Sequence, residues 1–268
     1  MSRLPSLYIT HGGGPCFWME FGPPFGPHAF DKLRAYLAGL IDSLPERPKA
    51  ILVVSGHWEE DRPTVSTAAR PGMLFDYYGF PPHTYQLSYP APGAPDLAQH
   101  VRGLLQAAGI DCGTDDKRGF DHGVFVPQLI IDPKAEIPVV MLSMRHDLDP
   151  AAHIAIGKAL APLRDEGVLI VGSGSSYHNL RQFFTGDGRA SVPFDDWLAE
   201  TATEPDADRR NARLVGWEKA PNARLCHPRE DHLIPLMVAA GAAGADVGRH
   251  SFHDRIGGQA ISCFSFGG

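Results

Sequence analysis

The chain has 268 residues, 43% of them hydrophobic, and a formal net charge of −7. That length can bury a sizeable core, and a prior of roughly 100–200 residues per domain allows one large domain or two small ones. The acidic balance, with no basic run, argues against a nucleic-acid partner, whose phosphates need clustered Lys and Arg. No apolar stretch approaches the roughly 20 residues of a membrane span.

Short β-rich runs alternate with helical patterns along the chain. Residues 6–10, "SLYIT", read as a first strand ending on His11 and followed at once by three glycines. Over residues 28–44 the apolar positions Phe30, Leu33, Leu37, Leu40, Ile41 and Leu44 recur at intervals of three and four, which predicts an amphipathic helix closed by Pro45. Residues 50–58, "AILVVSGHW", open with a continuous apolar run, as in a strand buried on both faces. Residues 71–95 are rich in Pro and Gly but carry Phe75, Tyr77, Tyr78, Phe80, Tyr85 and Tyr89. A solvated linker would not, so the segment reads as an ordered loop covering a site or packing on the core.

The rhythm then repeats: helix at 96–109, strand at 137–144, helix at 149–163 with Pro at its first turn, strand at 167–176, helix at 234–243 and strand at 260–266. Strands alternating with helices predict a mostly parallel sheet between helix layers. With no linker-like break, residues 1–268 are expected to form a single α/β domain. The four cysteines (Cys16, Cys112, Cys226, Cys263) are scattered without a CxxC pair. Reduced thiols and a cytoplasmic location are the expectation, no secretory leader being recognisable.

Ligands of open α/β sheets bind beyond the carboxyl ends of the strands. Three predicted strands deliver a histidine there: His11, His57 and His178. "HPREDHLIPL" sets His232 at the start of a helix, and "GFDHGVF" sets His122 in a loop-to-helix turn. Any one of these alone reads best as a structural hydrogen-bonder; five at one sheet edge point to a shared ligand. A metal is the natural one, because neutral imidazole is the commonest metal ligand, although imidazole suits Zn, Fe, Cu and Ni alike. His28, His83, His100, His146, His153, His227, His250 and His253 lack that placement, and solvated or capping roles are expected for them.

Other motifs are fragments. "HGGG" occurs as an oxyanion-hole sequence in some hydrolases, but the Gly-x-Ser-x-Gly elbow that should accompany it is missing. "GSGSSY" lacks the third glycine of a dinucleotide fingerprint.

Taken in order, "THGGGP", "VVSGHWEE", "PAPGAPDLA", "GFDHGVFVPQ", "PLRDEGVLIVGSGSSYHNL" and "HPREDHLIPL" resemble the class III extradiol ring-cleavage dioxygenases, in particular the branch named for DOPA 4,5-dioxygenase. The resemblance runs from about residue 7 to the C-terminus. It implies a single three-layer α/β/α domain with a central, mixed sheet. It implies His11, His57 and His232 as metal ligands, His178 as the acid–base group, and His122 as a contact to substrate or to oxygen. Gly12–Gly14 would then leave room beside His11 for a flat ring. In the wider superfamily two histidines and a glutamate hold Fe(II); here His232 stands at the third position, with Glu230 and Asp231 as the nearest carboxylates.

The implied reaction is cleavage of a catechol-type ring by O2 at non-haem Fe(II), with Zn(II) able to occupy the same site. Tyr177 and Asn179 flank His178 and are candidates to orient it, whereas Arg145 and Arg229 are assigned no role. A zinc-dependent hydrolase using the same histidines is the alternative, and a non-catalytic metal or ligand carrier a third. The expected partners are a small catechol and O2, with no nucleic acid or membrane. A homodimer is expected on general frequency alone.

Overall fold

A computed structural model describes residues 2–23, 25–183 and 188–268. Eight strands form one sheet: β1 (Ser6–Thr10), β2 (Ala50–Glu60), β3 (Thr64–Ser66), β4 (Gly113–Asp115), β5 (Val139–Arg145), β6 (Val168–Gly174), β7 (Gly248–Ile256) and β8 (Gln259–Phe266), in the order β4-β3-β5-β2-β6-β1-β8-β7. The central pairs β5–β2, β2–β6 and β6–β1 are parallel, as is β3–β4, while β3–β5, β1–β8 and β8–β7 are antiparallel. The sheet is therefore mixed, with a parallel centre. Its central strands are buried along nearly their whole length, which is why they read as unbroken apolar runs.

The helices are α1 (Asp31–Ala38), α2 (Pro95–Ala107), α3 (His122–Ile131), α4 (Pro150–Leu160), α5 (Leu180–Phe183), α6 (Val192–Ala202), α7 (Ala207–Val215), α8 (Ala223–Cys226) and α9 (Ile234–Ala243). Side chains alternate across a strand, so β6 shows which helix lies on which face. Ser173 Oγ donates to the Gly123 carbonyl of α3 at 2.5 Å. Its neighbours Gly172 and Gly174 face the other way, where a Cβ would strike the carbonyls of Pro235 and His232, so only glycine lets the start of α9 lie this close. Hence α3 and α9 cover opposite faces, giving the three layers expected from the sequence.

Every residue of α9 is buried, as its all-apolar "IPLMVAAGAA" requires. Its carboxyl end would leave carbonyls without partners inside the protein. Two buried arginines supply them: Arg164 donates to the carbonyls of Ala242 and Ala243, and Arg210 to those of Ala240 and Gly244.

The helix expected over 28–44 is shorter. Residues before Asp31 form turns, and a 3-10 turn at Ile41–Ser43 follows Gly39. The helix expected over 149–163 stops at Leu160 and continues as a 3-10 turn carrying Pro162, which has no N–H to extend an α-helix. Strands β3, β4 and β7 were not expected, because two are three residues long and the third is mostly polar with few buried positions. Among the described residues no helix is long and apolar enough to cross a membrane.

Candidate metal centre

His11 follows the last residue of β1, and its backbone N–H donates to the Gly174 carbonyl at the end of β6 (3.1 Å). His57 lies on β2 where the pairing with β5 slips between Val54 and Glu59. An irregularity of this kind re-aims side chains. Ser55 and His57 consequently face α3, with Ser55 Oγ donating to the buried carboxylate of Asp121 (2.7 Å), next to His122 at the first turn of α3. His232 sits in the turn entering α9, its carbonyl accepting from Tyr8 Oη (2.8 Å) and from the Ser175 N–H (3.0 Å). His178 follows β6, with its N–H donating to the Cys226 carbonyl of α8 (3.0 Å).

These folds of the chain bring three imidazoles together. His57 Nε2 lies 3.1 Å from His11 Nε2 and 3.2 Å from His232 Nε2. The opposite nitrogen of each ring faces oxygen. Ser173 Oγ spends its proton on the Gly123 carbonyl and so accepts from His11 Nδ1 (3.1 Å). His57 Nδ1 faces Asp76 (3.6 Å), and His232 Nδ1 faces Asp231 (3.2 Å). A proton on Nδ1, towards these oxygens, leaves each ring a lone pair directed inward. Metal–nitrogen bonds of about 2.0–2.1 Å at right or tetrahedral angles put ligand nitrogens about 2.8–3.4 Å apart, so the donor set fits a divalent transition ion. Oriented imidazoles backed by carboxylate or hydroxyl oxygens are what such ions require around them.

Burial, reinforced by the neighbouring imidazoles, pushes His11 and His57 well below the usual histidine range. Burial and the nearby His178 lower His232 to about 4, against the opposing pull of Asp231. All three are thus neutral near pH 7, the state in which imidazole binds metal.

His122 and His178 flank this trio. The His122 ring lies 3.9 Å, centroid to centroid, from that of His57. Asp76 Oδ1 accepts from its Nδ1 (2.8 Å) and from its backbone N–H (3.0 Å). His178 stacks on His232, with centroids 3.4 Å apart and planes at 16°, and its Nδ1 is 3.6 Å from Asp231 Oδ1. Against its burial, the two neighbouring imidazoles hold the Asp231 carboxyl far below the usual carboxylate range. All five histidines line one cavity of about 550 Å³.

Several neighbours take other roles than the sequence suggested. Glu230 turns away to pair with Arg224 (2.5 Å), and Asp231 stands behind two imidazoles. Asn179 donates to the Leu225 carbonyl and Tyr177 packs on Phe183, so both anchor the segment carrying His178. Gly12 and Gly14 have positive φ and lie against Cys16 and Phe80; a Cβ on Gly13 alone would meet open space. The glycine loop is thus shaped by its own packing as well as by room for a ligand. His153 and His227 are fully buried and hydrogen-bonded, not solvated. A bulge between His250 and Phe252 brings His250 and His253 to one side of β7, both on Ser262 Oγ and beside Asp195, away from the cavity. Asp76, Ser173 and Asp121 were missed. Asp76 carried the one available signal, a lone acid among aromatics in "LFDYYGF".

Fold and site together define an α/β protein with a histidine-lined candidate metal centre at the carboxyl ends of parallel strands. Residues 7–265 match the family described as the catalytic LigB subunit of aromatic ring-opening dioxygenase, and the chain belongs to that family. Its members are metal-dependent, and membership makes this an oxygenase-type enzyme. The chain is 42% identical over 225 residues to the 4,5-DOPA dioxygenase extradiol of Beta vulgaris, covering 82% of this chain and 83% of that one. It is 35% identical to the dioxygenase tasH of Hapsidospora irregularis, covering 100% of this chain and 87% of that one. The crystal structure of an uncharacterized Escherichia coli K12 protein superposes with a TM-score of 0.77 at 29% identity, covering 99% and 100% of the two chains.

Proposed function

We propose that the protein cleaves a catechol-type ring beside its diol with O2, using a ferrous ion held by His11, His57 and His232 in one catalytic unit. The convergence of three inward-facing Nε2 atoms, flanked by two further imidazoles on one cavity, carries this reading. Iron bound there would favour ionisation of the diol and supply the one-electron chemistry with O2 that zinc, having no redox activity, cannot.

The chain's own groups do the rest. His178 accepts a catechol proton and later returns it, as a positioned imidazole can. The Asp231 carboxylate near its Nδ1 stabilises the charged ring, and stacking on His232 fixes its plane. His122, its Nδ1 proton fixed on Asp76, presents Nε2 to the oxygen atoms of substrate or O2. Tyr77 and Phe80 wall the cavity and keep water from the reacting ring.

The test is anaerobic loading with Fe(II), then oxygen and a panel of catechols, read as the visible absorbance of a ring-opened semialdehyde. Ring opening with iron and not with zinc supports the reading. Absence of ring opening with every catechol, combined with hydrolytic activity in the zinc form, would replace it with the hydrolase alternative.

A further inference from the structure

Resting on that reading, we propose that the substrate is a catechol bearing an extended, uncharged apolar substituent, whose far end is held at the cavity rim by Tyr78 and Leu180. The ring and its diol need only the space before the imidazoles, whereas the cavity measures about 550 Å³. The remainder is lined by aromatic carbon. Phe21 and Phe30 lie 5.1 Å apart, and Phe25 stacks on Phe183 at 5.6 Å and 15°. All four rings are half-buried and line the cavity.

The wall continues to the surface. Four large hydrophobic side chains are exposed among the described residues, and two of them, Tyr78 (90%) and Leu180 (59%), line this cavity. Apolar groups that stay in water at a pocket mouth mark a binding surface more often than chance scatter does. A substituent reaching them would remove that surface from solvent.

Charge selects in the same direction. Among the described lining residues the only carboxylate is Asp231 and none is Lys or Arg; positions 1, 24 and 184–187 are not Lys or Arg either. Three arginines near the site motifs are engaged elsewhere, Arg229 with Glu59, Arg145 with Asp147, and Arg118 with Asp121 and the His57 carbonyl. A carboxylate on the substituent would therefore lose water and gain no cation from the described lining. An apolar substituent loses nothing of the kind and gains the aromatic wall.

The test uses two readouts. Binding of 4-phenylcatechol and of 3,4-dihydroxyphenylpropionate is measured calorimetrically on the zinc-loaded protein, which needs no turnover. Their kcat/KM values are then measured on the iron-loaded protein. We expect phenylcatechol to be favoured by at least about tenfold in both. Tyr78→Ala with Leu180→Ala should narrow that preference about fivefold by raising KM for phenylcatechol, and Leu180→Arg should shift it towards the anionic catechol. Equal or tighter binding of the propionate, or a preference unmoved by these rim substitutions, would overturn the inference. Binding in the expected order without ring opening of either compound would instead overturn the dioxygenase reading on which it rests.

Discussion

Asp76 holds two imidazoles with one carboxylate: Oδ1 lies 2.8 Å from His122 Nδ1, and Oδ2 lies 3.6 Å from His57 Nδ1. A proposed metal ligand and a proposed substrate contact therefore share one support. Desolvation pushes the carboxyl up, but the side-chain and backbone hydrogen bonds from His122 and the pull of its ring together keep it below its ordinary range. Replacing it with Asn would leave an amide NH2 free to face one imidazole N–H and upset both orientations. Asp76→Asn is expected to weaken metal binding about 10–100-fold, as losses of supporting groups behind metal-binding histidines do. Equilibrium dialysis against zinc, followed by metal analysis, checks this without any turnover.

The site assigns different work to His57 and His178, and two substitutions separate them. His57→Ala removes the nitrogen shared by both short Nε2 contacts, so metal occupancy should fall to near zero. His178→Ala leaves all three inward nitrogens in place. It should retain metal while turnover drops by about 10²–10⁴-fold, the usual worth of a positioned acid–base group. Full occupancy in the His57 variant would remove the ligand assignment, and normal turnover in the His178 variant would remove the proton-transfer role.

Much of this arrangement was legible because its signals are local. An apolar run ending on a polar residue, as in "SLYITH" or "AILVVSGH", says both that a strand is buried and which end delivers the side chain. What was not legible depends on contacts between distant segments. Asp76 lies nineteen positions from His57 and forty-six from His122, and nothing in its neighbourhood says which ring it faces. Ser173 looks like any small residue in a central strand until α3 lays the Gly123 carbonyl over it. The short strands β3 and β4 exist because their partners do, with too few residues to show a period of two. His153 and His227 looked like surface histidines because sequence spacing carries no burial signal for a residue beside a helix cap or a short turn.

Arg164 and Arg210 predict a cost away from the site. Arg164 is fully buried and donates to carbonyls of Leu4, Ala242, Ala243 and Phe266, tying the two chain ends to the end of α9. Met would fill much of the space and satisfy none of those acceptors. Arg164→Met is expected to cost about 3–5 kcal/mol, the scale for several buried carbonyls losing a charged donor. Urea denaturation at neutral pH measures it. A loss below about 1 kcal/mol would mean that water reaches these carbonyls in the variant.

The last prediction concerns acid and the metal-free protein. His227 Nε2 donates to the Ser176 carbonyl (2.9 Å), while Nδ1 is buried with no hydrogen-bond partner, among Phe194 and Trp217. A second proton would have to sit on that unpartnered nitrogen, and burial accordingly lowers the group to about 3. In the unfolded chain it titrates at about 6.5, so the unfolded state takes up the proton first. The contribution to stability is therefore complete above about pH 6.5 and is lost as pH falls towards 3, by about 2 kcal/mol at pH 5. His227→Gln places an amide near the Ser176 carbonyl and removes the titration. Urea curves at pH 7 and pH 5 should show a smaller acid loss in the variant than in the parent, by about that amount. An equal loss in both proteins would assign the acid sensitivity to the other buried histidines instead, with His11, His57 and His153 held neutral for the same reason of burial.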